Sequence, residues 1–330
     1  MTGPAAILTT GTRSVRIPRN RKITLRAMAS DVTLELLDSG PGALPALKAA
    51  QQVFHDVEVA CTRFNPASPL MQANRQPDSW HRVPGVCFEA IWEAYDAYLV
   101  TGGVFDPRVL TTLLALGYDG SLPFQSTDDW VPVAASEVPA RRPDDWTPSF
   151  DRENSAIRLG SEPIDLGGIG KGLAVRWAAD LLRGHATGCL VSAGGDCMIY
   201  GSGPTGGNWL VGVEDPHGGS EPKAVLAIRD LACATSSIRI RRWLAGGRQV
   251  HHLIDPASQA PGGCGLASVT VVGPDPARAE VWSKALFLAG AERIAETADR
   301  HSLAALWIAQ DGSTWNSAAM EKQVSWRAAA

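Results

Sequence analysis

Between Pro163 and Val175 the chain reads PIDLGGIGKGLAV, with one carboxylate (Asp165), four glycines and one ammonium (Lys171) directly ahead of a helical pattern. Glycine lets backbone N–H groups come close to oxygen atoms, and the start of a helix carries partial positive charge. The stretch therefore has the parts of an anion cradle, with Lys171 to neutralise a phosphate and Asp165 to hold a sugar, a ring or a metal. A second reading is equally open: a tight turn that packs a helix on a sheet, with Lys171 in solvent. Spacing excludes two known phosphate loops. A Walker loop needs a glycine where Asp165 stands and a Ser or Thr where Gly172 stands, and Gly168, Gly170 and Gly172 do not keep the G-x-G-x-x-G interval of a dinucleotide fingerprint.

Other chemistry-bearing residues are scattered. His252 and Asp255 lie in HLIDP, where the imidazole or the carboxylate can serve as a proton acceptor or as part of an ordinary turn. Glu280 and Lys284 are four residues apart in a helical pattern, so both face one side. Gly194-Gly195-Asp196 reads as a hairpin turn. Thr235-Ser236 either caps or binds phosphate, and Phe64 either stacks on a ring or closes its helix in the core.

The elements that must position these groups follow from periodicity. ITLRAMASDVTLELL from Ile23 alternates as one or two strands. Leu47, Ala50, Phe54, Val57 and Cys61 mark an amphipathic helix, and Phe88, Ile91, Trp92, Tyr95 and Leu99 a second that stops at Gly102-Gly103. Residues 120–150 read as connecting hairpins. Ala174, Trp177, Ala178 and Leu181 make a helical stripe behind the glycines. Strands are expected at 189–193, 198–201, 209–213, 224–228, 266–273 and 304–309. A helix opens at Asp275-Pro276 and is expected to end at Gly290. Consecutive strands late in the chain favour an α+β arrangement over a doubly wound parallel sheet.

Composition narrows the class. The 330 residues suffice for one large domain, and a net charge of −4 gives no reason to expect a nucleic-acid partner. No apolar run approaches a membrane span. The six cysteines form no C-x-x-C pair, which disfavours a zinc ribbon and points to a reducing, cytoplasmic setting. The reading is a frayed start over residues 1–22, one domain over 23–320 and a tail over 321–330.

Taken in order, eight short motifs resemble those of the ApbE family, the FAD:protein FMN transferases: Met28-Ala29-Ser30, Ser68-Pro69-Leu70 with Asn74, Gly103 to Pro107, Ile164 to Gly172, Gly194-Gly195-Asp196, Thr235-Ser236-Ser237, His252 to Pro256, and Ala279 to Phe287. The resemblance runs from about residue 26 to about 310. It implies an α+β fold of mixed sheets with packed helices, related to tandem T-fold units. It also implies transfer of FMN from FAD to a Thr or Ser hydroxyl of an acceptor protein, with release of AMP and often with Mg²⁺. By that resemblance Met28, Phe64, Val104, Phe105 and Asp106 line the flavin or adenine pockets, and Asp165, Lys171, Thr235 and Ser236 contact FAD. His252 stands by the diphosphate, with His252, Asp255 and Lys284 as the catalytic candidates. Gly168, through its carbonyl, Glu280 and Ser283 are the metal candidates.

Departures from the family pattern cluster at the metal. Glu280 and Lys284 stand where the pattern has Asp and Thr, and a protonated lysine has no lone pair to offer a cation. Three readings are open: the Lys284 ammonium replaces the metal beside Glu280, Mg²⁺ still binds through Glu280, Gly168, Ser283 and water, or the pair is a plain helix ion pair in a degenerate site. Ala29 and Ser237 also replace glycines of the pattern. Storage of FAD without transfer, and hydrolysis of FAD to FMN and AMP, are the alternative activities.

Overall fold

A computed structural model describes residues 19–120 and 145–328. Most of the expected frayed start (1–18) and most of the expected hairpins (121–144) lie outside the described residues. The principal element is an eight-stranded sheet. Its strands, numbered here by themselves, are β1 (Arg21–Ala27), β2 (Ser30–Leu37), β3 (Gly188–Ala193), β4 (Asp196–Gly201), β5 (Ala232–Ser237), β6 (Leu266–Gly273), β7 (Ala304–Ala309) and β8 (Thr314–Asn316). They lie side by side in chain order, and every neighbouring pair is antiparallel. The α+β reading holds.

Period-2 alternation gives this sheet two buried faces. In β6, Val269 and Val271 join the larger core while Val272 faces the smaller one; in β7, Ala305 and Trp307 face the first, and Leu306 and Ile308 the second. Helices α1 (Ala43–Cys61), α2 (Pro69–Arg75), α3 (Gly85–Val100), α4 (Leu110–Ala115), α5 (Gly170–Leu182) and α6 (Pro276–Arg300) complete the set of α-helices among the described residues. The larger core holds α1, α3, α5 and α6 against the first face. A three-stranded sheet of Val324–Arg327, Ala224–Ile228 and Trp209–Val213 covers the second. Residues 324–327, expected within the tail, are thus the edge strand of that sheet, paired with 224–226.

Helix α1 buries the five positions its periodicity marks. Helix α3 turns differently. Its core side is Cys87, Phe88, Ala90, Ile91, Ala94 and Ala97, while Trp92 and Leu99 are 42% and 54% exposed. Small residues on that side fit beside α1, and Trp92 instead meets the Phe150 ring edge-on at 5.0 Å. Helix α6 starts as expected: Asp275 accepts a hydrogen bond from the Arg278 N–H at 2.8 Å, and Pro276 takes the first turn. It does not end at Gly290. That residue has φ 74° and breaks the helix, the Ala291 N–H turns to the Cys264 carbonyl, and a further helical stretch of good helix formers runs to Arg300.

Candidate active site

Two glycines of the opening stretch, Gly168 and Gly172, are needed for room rather than for turning. None of Gly167, Gly168, Gly170 and Gly172 has a positive φ. A Cβ on Gly172 would stand 2.6 Å from the Ala277 Cα, and one on Gly168 2.8 Å from the Phe105 ring. Bare backbone at 172 lets the starts of α5 and α6 touch. That contact carries Glu280, on the second turn of α6, onto the first turn of α5.

The result is a cluster of four charges, two buried carboxylates and two half-buried ammoniums. Glu280 is 1% exposed, and its Oε2 accepts the Gly172 N–H at 2.8 Å. Its Oε1 accepts from the Lys171 ammonium at 2.9 Å and from the Lys284 ammonium at 3.1 Å. Lys171 also donates to Asp196, itself 1% exposed, whose second oxygen faces the Thr235 N–H at 3.3 Å. At Gly172 the helix start, which one of the two readings offered to an external anion, is satisfied by the chain's own carboxylate.

The four groups respond differently to this setting. Burial pushes the Glu280 carboxyl up, but the Lys171 and Lys284 ammoniums outweigh it and bring its pKa down to about 2. Burial pulls Lys171 down, but Asp196 and Glu280 together hold it above its ordinary value. Lys284 falls below its ordinary value, because burial and the Lys171 charge outweigh its one close carboxylate. Asp196 is raised by burial and by the neighbouring Glu280 charge.

This cluster lies beside a cleft of about 1750 Å³. Met28, Phe64, Val104, Phe105, Asp106, Asp165, Gly168, Lys171, His252 and Lys284, all singled out from the sequence, line it. Met28 and Ala29 form the β1–β2 turn, both in the left-handed region at φ 52° and 55°. The Met28 N–H donates to Glu58 at 2.8 Å. Asp106 is buried against Arg108 at 2.8 Å. Asp165 accepts the Gly167 N–H at 2.9 Å and faces the Arg63 guanidinium at 3.7 Å. Arg63 lies 4.2 Å from the ring centres of both Phe64 and Tyr118, so a flat cation and two rings form one wall.

Glu280, Ser283 and Ser236 lie behind this surface, and Thr235 is exposed but does not line the cleft. Glu280 and Ser283 are buried; the Ser283 hydroxyl donates to the Glu280 carbonyl at 2.9 Å and contacts the Ser236 hydroxyl at 2.7 Å. Thr235 meets the Thr270 hydroxyl at 2.9 Å. Asp255 is not brought to the cleft wall: its carboxylate closes its own turn onto Ala257, Ser258 and the Ser258 hydroxyl. His252 does reach the cleft. Its Nδ1 lies 3.4 Å from the Arg241 carbonyl, which can only accept, so the proton sits on Nδ1 and Nε2 keeps a lone pair. Burial, with the Arg241 and Lys284 charges, pushes this imidazole well below its ordinary value, so it is neutral at pH 7.

The sequence reading missed Asp196 as a charged partner, and Arg63, Tyr118, Arg241 and Trp243 as wall residues. Asp196 carried a signal, a carboxylate set directly after a Gly-Gly turn. The wall residues carried none, because they come from separate loops.

The ApbE family model matches residues 28–307. The chain belongs to the ApbE family. Among the similar curated proteins is the FAD:protein FMN transferase of Treponema pallidum, 33% identical over 140 residues, which are 39% of this chain and 39% of that protein. The one from Salmonella typhimurium is 31% identical over 161 residues, 47% of this chain and 45% of its own. The chain thus spans less than half the length of these curated relatives. Among solved structures, an ApbE protein from Thermotoga maritima superposes with a TM-score of 0.79 at 24% identity, covering 92% of this chain and 98% of that one. The flavinyl transferase ApbE of Pseudomonas stutzeri gives 0.77 at 22% identity over 94% and 98%. The fold is therefore that of ApbE.

The donor set here does not fit a magnesium ion. Both Glu280 oxygens are already engaged by cations and an N–H, the Ser283 hydroxyl is turned to a carbonyl, and Lys284 brings donors where an ion needs lone pairs. Among the described residues, no three His, Cys, Asp or Glu side chains gather as a metal cage.

Proposed function

We propose that this chain transfers the FMN half of FAD to a Thr or Ser hydroxyl of an acceptor protein and releases AMP. One observation carries the reading. A cleft of about 1750 Å³ is bordered by two half-buried lysines sharing a buried glutamate, with a neutral imidazole alongside. The volume exceeds the roughly 300–1,000 Å³ of an ordinary small-molecule pocket, which suits a two-headed dinucleotide with room for an acceptor segment. The Arg63–Phe64–Tyr118 wall offers flat surfaces to a ring.

In the proposed step the acceptor oxygen bonds to the FMN phosphorus, and the bond from that phosphorus to the bridging oxygen breaks. The bridging oxygen leaves with AMP, and the hydroxyl proton passes to His252 Nε2. Phosphoryl transfer is catalysed mainly by positioning and by neutralising developing charge. Lys171 and Lys284 supply that charge, with Lys284 replacing a divalent ion, and Glu280 and Asp196 keep the two ammoniums from repelling each other out of place. Asp255 has no direct part in this step.

The transferase unit is taken to run from β1 through the edge strand at 324–327. A reducing compartment, the cytoplasm, agrees with six cysteines that remain unpaired, and no helix among the described residues is long and apolar enough to cross a membrane.

The experiment is incubation of purified protein with FAD and a Thr-containing acceptor peptide, with EDTA or with Mg²⁺. AMP with flavinylated peptide in EDTA is the expected result. AMP with free FMN points to hydrolysis, and bound FAD without AMP points to storage. Absence of FAD binding refutes all three.

A further inference from the structure

The segment Ile240–Leu244 lines the cleft. Trp243 points inward, donates its indole N–H to the Leu116 carbonyl at 2.6 Å, and packs on Tyr118 with ring centres 5.2 Å apart. Ile240 and Leu244, which also border the cleft, are 74% and 68% exposed. Arg241, in the bend that leads into the strand of Trp243, also lines the cleft, where it is half-buried. Its backbone is fixed as well: the Arg241 carbonyl accepts the His252 N–H at 3.3 Å and faces the His252 ring.

Among the described residues at the cleft, Arg241 and Arg242 make no ion pair or side-chain hydrogen bond, and of these two Arg241 is half-buried while Arg242 is exposed. Lys171 and Lys284 share Glu280, Arg63 faces Asp165, and Arg239 pairs with Glu214. The Arg241 charge is nevertheless felt by Lys171 and by His252, so it stands close to both. A half-buried cation held among cations, with five N–H donors and no acceptor, is an arrangement completed by an anion. A planar fork of donors matches the paired oxygens of a phosphate group.

We infer that Arg241 is a binding residue for the diphosphate of the nucleotide, its guanidinium clamping a phosphate alongside Lys171 and Lys284. The inference rests on the proposed FAD-dependent reading and adds to it a residue outside the motifs that carry the family resemblance. It makes the hairpin of 242–245 and 248–251 part of the phosphate site, with Trp243 as the anchor that aims the arginine.

The test is titration of the full chain with FAD and, as competitor, inorganic pyrophosphate, for the native protein and for Arg241→Ala and Arg241→Lys. Arg241→Ala is expected to weaken both FAD and pyrophosphate by roughly tenfold or more, and Arg241→Lys to recover part of the loss. His252, followed by NMR in the unliganded protein, is expected to titrate at higher pH in Arg241→Ala, since a neighbouring positive charge has gone. This second reading needs no ligand and also reports that the variant is folded. If the native chain binds FAD and Arg241→Ala binds it equally well, this inference falls and the proposed function stands. An unmoved His252 titration overturns it too. If the native chain binds no FAD, the functional reading itself has failed.

Discussion

Lys171 and Lys284 are both half-buried and both bonded to the buried Glu280, yet their removal should have unequal consequences for stability. At 3.1 Å and an effective dielectric of about 20, the attraction between Lys284 and Glu280 is about 5 kcal/mol. Desolvating an ammonium costs several kcal/mol, and the like charge of Lys171 repels it, so Lys284 comes close to breaking even. Its lowered pKa says the same, because its surroundings disfavour the charged form. Lys171 has two such attractions, to Glu280 at 2.9 Å and to Asp196, against one desolvation cost. Its raised pKa shows that the surroundings favour its charge. Losing it would leave two buried carboxylates facing one ammonium. Lys171→Met is therefore expected to cost about 3–5 kcal/mol of folding stability. Lys284→Met, of similar length, is expected to cost less than about 1 kcal/mol by the same balance. Urea unfolding at pH 7, with matched m-values, measures both. Equal losses, or the reverse order, would refute the charge accounting on which the metal-free site rests.

Three further expectations follow from the same geometry. The double variant Glu280→Asp, Lys284→Thr exchanges an ammonium for oxygen ligands, so it should gain a Mg²⁺-dependent rise in melting temperature and in transfer rate; an unchanged response to Mg²⁺ would count against Lys284 as the resident cation. His252 is held neutral far below its ordinary pKa of about 6.5, so the acid limb of kcat/KM should lie well under pH 6.5, with the deprotonated base persisting as pH falls. His252→Gln should remove that limb and lower kcat roughly 10²–10⁴-fold, as loss of a general base does. Gly172→Ala puts a methyl 2.6 Å from the Ala277 Cα, so it should destabilise by about 1–3 kcal/mol and weaken FAD binding by separating Glu280 from α5; a neutral result in thermal unfolding would contradict that helix contact.

Much of the fold could be read from the sequence because the strands carry their own signal. The segments 209–213, 224–228, 266–273 and 304–309 are bounded as expected, since β-branched runs end at glycine or polar residues. Helix α3 was placed correctly and its face misjudged, because large apolar residues mark a stripe in sequence while small ones permit the close packing. The break at Gly290 looked like an end because the stabilising partner, the Cys264 carbonyl, is remote in sequence. At the site the same division applies. Lys171, Glu280 and Lys284 were legible from spacing within one segment. The pairing of Lys171 with Asp196, 25 positions away, and of Glu280 with Gly172, 108 away, depends on two helix starts meeting at a glycine.

The chain-order sheet means that nearly everything around the cleft arrives in two excursions, one leaving after β2 and returning at β3, the other leaving after β5 and returning at β6. Phe64, Phe105, Tyr118 and Asp165 belong to the first; Arg241, Trp243 and His252 belong to the second. A nucleotide touching both acts as a staple between parts of the chain that the sheet holds only by their roots. Its arrival should therefore be felt most in amide exchange across the 242–251 ribbon, and its departure should loosen that ribbon before any strand of the scaffold.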